Sequence, residues 1–284
     1  MIELTFHKSP NVYVDEVCLK VTDKKRAVSF YQNILGLQIL KETSTTTVFT
    51  ADGKRPLLTI VEPDNVTAKE PRRTGLYHFA LLLPTRAELA ACLKHLVESR
   101  YPLQGASDHV VSEAIYLADP DGNGIEIYAD RPSENWQWSG ELVQMDTVPL
   151  DVEDLLKEWN GKDWAGLPKG TVMGHIHLHV ADLRAAEEFY CDTLGFEVVA
   201  RYGDQALFVS SGKYHHHIGL NTWNGRGAPS PSEESAGLQY FTLKYPNQEE
   251  KKKVLERLKN LGYPVEIDGD NIKLMDPSRI RIVV

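Results

Sequence analysis

Residues 14–40, VDEVCLKVTDKKRAVSFYQNILGLQIL, return at residues 173–199 as MGHIHLHVADLRAAEEFYCDTLGFEVV. Asp23 and Asp182 precede the pairs Phe30-Tyr31 and Phe189-Tyr190 by the same interval. Each tyrosine is followed at the same distance by a glycine, Gly36 or Gly195. A second pair of segments also matches: TGLYHFALLLPT (74–85) and AGLQYFTLKYPN (236–247). That match runs on through Tyr101-Pro102 against Tyr263-Pro264 and Asp119-Pro120 against Asp276-Pro277. The chain is therefore built of four units, the first like the third and the second like the fourth. A repeat of this kind marks one supersecondary unit used several times, which cannot bury its apolar face alone.

Within a unit the local chemistry is constant. Val17, Leu19 and Val21 alternate with Glu16, Cys18 and Lys20, the period of a half-buried strand. A helix-capping residue follows, Asp23, Thr85, Asp182 or Asn247. An amphipathic helix comes next, as in RAELAACLKHL with Leu89, Leu93 and Leu96 at helical spacing. Gly36, Gly195 and Gly262 fall at or just past the helix ends, where a left-handed residue is favoured. Short strands complete a βαβββ module. The expected fold class is α+β, with four βαβββ modules forming two half-barrel domains. Residues 1–130 hold one pair of modules and 172–284 the other. Residues 131–171, rich in Trp, Pro and Gly, form a linker with one short helix in DVEDLLKEW.

Composition narrows the function. The 284 residues are 42% hydrophobic and 25% charged, with a formal net charge of −9. An acidic chain whose basic residues lie in small groups beside acids lacks the basic face that nucleic acid requires. Cys18, Cys92 and Cys191 are scattered, which argues against a disulfide framework and points to a reducing cytoplasm with three small buried apolar groups. No apolar run approaches the roughly 18 residues of a membrane span.

These repeats resemble the vicinal oxygen chelate superfamily, which includes glyoxalase I, fosfomycin- and bleomycin-resistance proteins and extradiol ring-cleaving dioxygenases. The four-module length resembles the extradiol catechol 2,3-dioxygenases. In that superfamily a metal-binding histidine sits seven residues before the helix cap. Counting back from the four caps gives Glu16, His78, His175 and Tyr240, of which two offer an imidazole. A second ligand, a carboxylate, follows a DPxG-type turn in the last strand. DPDGNGIEIY supplies Glu126, whereas DPSRIRIVV places Arg281 at the corresponding point. The resemblance thus implies a metal on His78, Glu126 and His175, the facial triad of non-haem ferrous oxygenases. It implies Fe2+, with Mn2+ as the alternative. Taken singly, His78 reads equally as a satisfied strand histidine and Glu126 as a surface residue.

This ligand set demands that modules two and three pair, leaving one with four. Pairing in sequence order would instead offer Glu16, His78 and Glu126, a set closer to a glyoxalase-like site. The dioxygenases also carry a tyrosine ten residues before the glutamate, preceded by Asp-His and a serine. Tyr116, Asp108, His109 and Ser112 fit, although the stretch from His109 to Tyr116 is two residues longer than usual. In Lys213-Tyr214-His215-His216-His217-Ile218 the resemblance puts the acid–base histidine at His216. Strand alternation sends His215 and His217 to the opposite face. His177 and His179 share the cleft parity of His175. The implied activity is oxidoreductase cleavage of a small aromatic diol with O2 to a muconic semialdehyde, as in aromatic hydrocarbon catabolism. It is expected in a cytoplasmic, membrane-free enzyme, with a homo-oligomer as the further expectation. A glyoxalase I-like isomerase, a thiol transferase and a metal-free drug-binding module are the competing readings.

Overall fold

The computed structural model of the chain describes residues 6–162 and 164–284. Module one comprises β1 (Tyr13–Lys20), α1 (Lys24–Asn33), β2 (Gln38–Glu42), β3 (Thr46–Thr50) and β4 (Leu58–Val61). Module two comprises β5 (Gly75–Leu82), α2 (Arg86–Glu98), β6 (Leu103–Asp108), β7 (Ser112–Ala118) and β8 (Gly124–Asp130). The linker carries β9 (Trp138–Ser139), β10 (Leu142–Val143), β11 (Val148–Pro149) and α3 (Val152–Lys157). Module three comprises β12 (Val172–His179), α4 (Leu183–Glu187), β13 (Glu197–Tyr202), β14 (Ala206–Ser210) and β15 (Ile218–Asn221). Module four comprises β16 (Gly237–Lys244), α5 (Gln248–Asn260), β17 (Val265–Asp268), β18 (Asn271–Met275) and β19 (Arg281–Val283).

The helices start where the capping residues lie. Asp23, Thr85, Asp182 and Asn247 each accept a hydrogen bond from the backbone N–H three residues on, satisfying a donor that the first helical turn leaves open. The apolar parity of the first strands faces inward: Val17, Leu19, Phe79, Leu81, Ile176 and Leu178 are all fully buried. Glu16, His78, His175 and Tyr240 lie on the other parity.

Two sheets result. The nine-stranded sheet runs β11-β6-β7-β8-β5-β12-β15-β14-β13, and the eight-stranded sheet β17-β18-β19-β16-β1-β4-β3-β2. At their centres β5 pairs antiparallel with β12, and β1 with β16. Modules two and three therefore share one sheet and modules one and four the other, the arrangement that lets His78 and His175 meet. In each module the last strand returns parallel beside the first. Helix-borne tyrosines tie the sheets together: Tyr31 Oη donates to Asp119 at 2.8 Å, and Tyr190 Oη to Asp276 at 3.1 Å.

Four details correct the sequence reading. Residues 211–217 form a loop and β15 begins only at Ile218, so strand alternation does not orient the three histidines. The register sets Val283 against Thr242 as Glu126 is set against Ala80, so Val283 rather than Arg281 occupies the glutamate's position. The linker helix α3 covers six residues and stops short of Trp159. Cys191 is only partly buried, although all three cysteines are free. Trp136 is buried in the linker, stacked 5.5 Å from Phe6. Among the described residues, no helix is long and apolar enough to cross a membrane.

Candidate metal centre

Adjacent strands bring three side chains to one point. β8 lies parallel to β5 with Glu126 beside Ala80, and β12 lies antiparallel to β5 with His175 beside the same Ala80. His78 is two residues earlier on the same face of β5. The small alanine side chain at the crossing leaves room for all three. Ligand atoms of His78, Glu126 and His175 lie within 4.8 Å of one another, and all three residues are buried. Glu126 Oε2 is 3.0 Å from His78 Nε2 and 3.3 Å from His175 Nε2.

These distances fit a shared ion. Two atoms each about 2.1 Å from one metal, and at right angles about it, are separated by about 3.0 Å. His78 Nε2 and both ring nitrogens of His175 are buried without a hydrogen-bond partner, although unsatisfied buried polar atoms are costly and rare. An ion with open positions explains the distances and the unpartnered Nε2 atoms of His78 and His175: two imidazoles and a carboxylate form one ligand face. Burial depresses His175 to about 4, against the pull of Glu126, so its imidazole is neutral at pH 7. Burial alone would push the Glu126 carboxyl up, but His175 and then His78 outweigh it and hold it well below the usual carboxylate range. Both groups are thus in the protonation state that binds a cation.

A cavity of about 370 Å3 opens over this face. Tyr116, opposite Glu126 in the β7–β8 pair, lines it, as do His109 and His216. The hairpin turn from His109 to Ser112 closes with a 2.8 Å backbone bond, and the longer loop still delivers His109 Nε2 to 2.5 Å from Tyr116 Oη. His109 Nδ1 lies 2.9 Å from the Asp146 carbonyl, which can only accept. The proton is therefore on Nδ1, and the tyrosine donates to the bare Nε2. Burial, with Glu126 nearby, raises the Tyr116 hydroxyl well above its ordinary value, so it stays a donor.

His216 packs against His175 with ring centroids 4.1 Å apart. His177 lines the cavity between Tyr77 and Trp223, while His179 turns to Asn221 at 2.7 Å. His215 and His217 point away from the cavity. His217 meets the Phe6 carbonyl at 3.2 Å, and His215 Nε2 meets Asp130 at 2.8 Å. Glu16 is remote from this centre, on the eight-stranded sheet, and donates no ligand atom to it; it accepts from Thr59. Sequence reasoning passed over Asp130 and the cavity aromatics Tyr77, Phe208 and Trp223. Asp130 ends the strand that carries Glu126 and matches no motif position, so only the fold joins it to a residue 85 positions away.

Known proteins agree with this architecture. Residues 13–127 and 172–271 match the family model "Glyoxalase/Bleomycin resistance protein/Dioxygenase superfamily". The chain is 48% identical over 262 residues to a catechol-2,3-dioxygenase of Bacillus subtilis (strain 168), covering 91% of this chain and 92% of that protein. It is 28% identical over 155 residues to a biphenyl-2,3-diol 1,2-dioxygenase 3 of Rhodococcus globerulus, covering 49% of this chain and 76% of that one. Among solved structures, glyoxalase I from Zea mays superposes with a TM-score of 0.58 at 14% identity, over 96% of this chain and 91% of its own. At that identity the likeness concerns the fold alone.

Proposed function

This chain belongs to the glyoxalase/bleomycin resistance protein/dioxygenase superfamily, and on that premise we propose that it is an extradiol dioxygenase, opening catechol-type rings with O2 to a muconic semialdehyde. The buried His78–Glu126–His175 face carries this reading, in a chain similar to a catechol-2,3-dioxygenase over nine-tenths of its length. We take the metal to be Fe2+ held by those three residues. When bound, it supplies Lewis acidity toward the diol and positions for substrate and O2.

The protein's own groups do the rest. His216, on the cavity wall beside His175, takes the proton of a diol hydroxyl and later returns it. When substrate binds, Tyr116 turns its one hydroxyl proton from His109 Nε2 to a substrate oxygen, and His109, held by the Asp146 carbonyl, is the acceptor that keeps this hydroxyl at the cavity beforehand. Tyr77, Phe208 and Trp223 supply an aromatic wall for the ring. The cavity's 370 Å3 falls in the small-molecule range of about 300–1,000 Å3. It therefore accepts a catechol carrying an apolar substituent directed at that wall. Three free cysteines suit a reducing, cytoplasmic setting.

The test is anaerobic loading with Fe2+ followed by catechols in an oxygen electrode. One O2 consumed per ring opened, with a yellow product, is expected. Bound iron with no O2 uptake on any catechol would shift the assignment to a metal-dependent isomerase. Loading with Mn2+ in parallel identifies the working metal.

A further inference from the structure

Behind the cavity wall lies a polar chain that the reaction as described does not use. Asp130, at the end of β8, accepts from His215 Nε2 at 2.8 Å, and its Oδ1 also receives the Tyr214 hydroxyl at 3.2 Å. His215 is completely buried. Its other nitrogen, Nδ1, lies 2.8 Å from Nδ1 of His216. The hydrogen-bonding capacities fix the protons along this line. A carboxylate only accepts, so His215 carries its proton on Nε2 and its Nδ1 is a lone-pair acceptor. For the 2.8 Å contact to be a hydrogen bond, His216 must donate from Nδ1. Its Nε2 is then the bare nitrogen, on a ring that lines the substrate cavity.

We propose that Asp130 and His215 are positioning residues that lock His216 in the Nδ1–H tautomer and so present Nε2 as the proton acceptor. This rests on the reading of His216 as the acid–base group. In the proton step the diol O–H bond breaks, its electron pair stays on oxygen, and an N–H bond forms at His216 Nε2. The resulting imidazolium keeps donating through His215 to the Asp130 carboxylate, which holds its negative charge throughout. The same division of labour, an acid that fixes a histidine's tautomer without itself taking the proton, operates in serine hydrolases. Here a second imidazole is interposed. The line also limits rotation of the His216 ring, because its Nδ1 has a fully buried partner.

The test joins a spectroscopic and a kinetic readout on the full-length chain. Nitrogen-15 NMR of histidine-labelled, metal-free protein, with His216→Gln to assign the signals, should show His216 protonated at Nδ1 and bare at Nε2. Asp130→Asn and His215→Phe should each shift that ring toward the Nε2–H form. With iron restored, both should lower kcat about a hundredfold or more at unchanged KM and iron content. His216 protonated at Nε2 in the unaltered protein would overturn the proposal. So would variants that fold, bind iron and keep both the tautomer and kcat. His216→Gln with full O2 uptake is a distinct result: it removes the base itself, and the relay with it.

Discussion

Each residue of the site has a defined place and partner, and its expected mutational effect follows from them. The proposed ligands contribute buried, otherwise unpartnered atoms. His78→Ala, His175→Ala and Glu126→Ala should therefore each lose metal, read by elemental analysis after gel filtration, with the circular dichroism of the fold retained. Glu16→Ala and Tyr240→Phe, on the other sheet, should keep full metal content; loss there would refute the ligand assignment. Tyr116 touches substrate oxygen in the proposed reaction but no metal. Tyr116→Phe should keep the metal and lose about 1.5–3 kcal/mol of transition-state stabilisation, roughly 10- to 150-fold in kcat/KM by oxygen electrode. The ligand candidates were legible in the sequence because a strand of fixed parity runs into a capped helix, which turns a count along the chain into a direction in space. Asp130 and His215 were not. The link between them depends on a loop whose path no periodicity encodes.

At the scale of elements, close approach of strands decides which positions must be glycine. A Cβ on Gly174, next to His175 in β12, would lie 2.0 Å from Tyr128 Oη, whose ring packs against His175 at 4.9 Å. A Cβ on Gly219 in β15 would meet the His177 ring at 2.8 Å. Gly105 in β6 has nothing within 4 Å. Gly174→Ala should therefore cost about 1–3 kcal/mol, the range for overpacking, and weaken metal retention by displacing His175. Gly219→Ala should cost less, because its Cβ would meet the His177 ring at 2.8 Å rather than the fully buried Tyr128 side chain at 2.0 Å, and Gly105→Ala should be close to neutral. Urea denaturation of the three variants gives the order. The sequence showed the module pattern and all four helix starts, since capping and alternation are local. It misplaced the end of the linker helix and treated residues 215–217 as strand. Both errors come where tertiary contacts, rather than local propensity, set the boundary. The glutamate-equivalent position in module four was misread for a different reason. Asp119 to Glu126 and Asp276 to Val283 are the same seven-residue step, so a count from the DP pair already reaches Val283, and the pairing with β16 agrees.

Across the whole molecule, two equivalent bonds fasten one sheet to the other, and they differ in a way that pH should expose. Asp119 and Asp276 both follow the third strand and open the DP turn of modules two and four, and each receives a helix-borne tyrosine. Asp119 also accepts from the Asn123 side chain at 2.9 Å, whereas Ile280 stands at the matching place beside Asp276 and offers only its backbone N–H. Burial pushes the Asp276 carboxyl up to about 7, against the pull of the Ile280, Tyr190 and Ser278 donors. An acid whose folded pKa lies above its unfolded value binds more protons when folded. Its contribution to stability is full below about pH 4 and is lost as pH rises through about 7. Over that window the loss should amount to a few kcal/mol, on the order of 2–4. Asp276→Asn tests this cleanly, because an amide can reproduce every bond of the protonated acid. Its oxygen accepts from Ser278 and Ile280, and its NH2 donates to the Tyr190 oxygen. The variant should match the parent protein near pH 4 and exceed it by a growing margin up to pH 8 in urea denaturation midpoint. Equal midpoints at pH 8 would mean that the charged carboxylate is already satisfied by its three donors. The gain belongs to the whole molecule because Asp276 anchors module four to the helix of module three. A firmer tie there holds the eight-stranded sheet, which carries no ligand of the proposed metal, against the one that does.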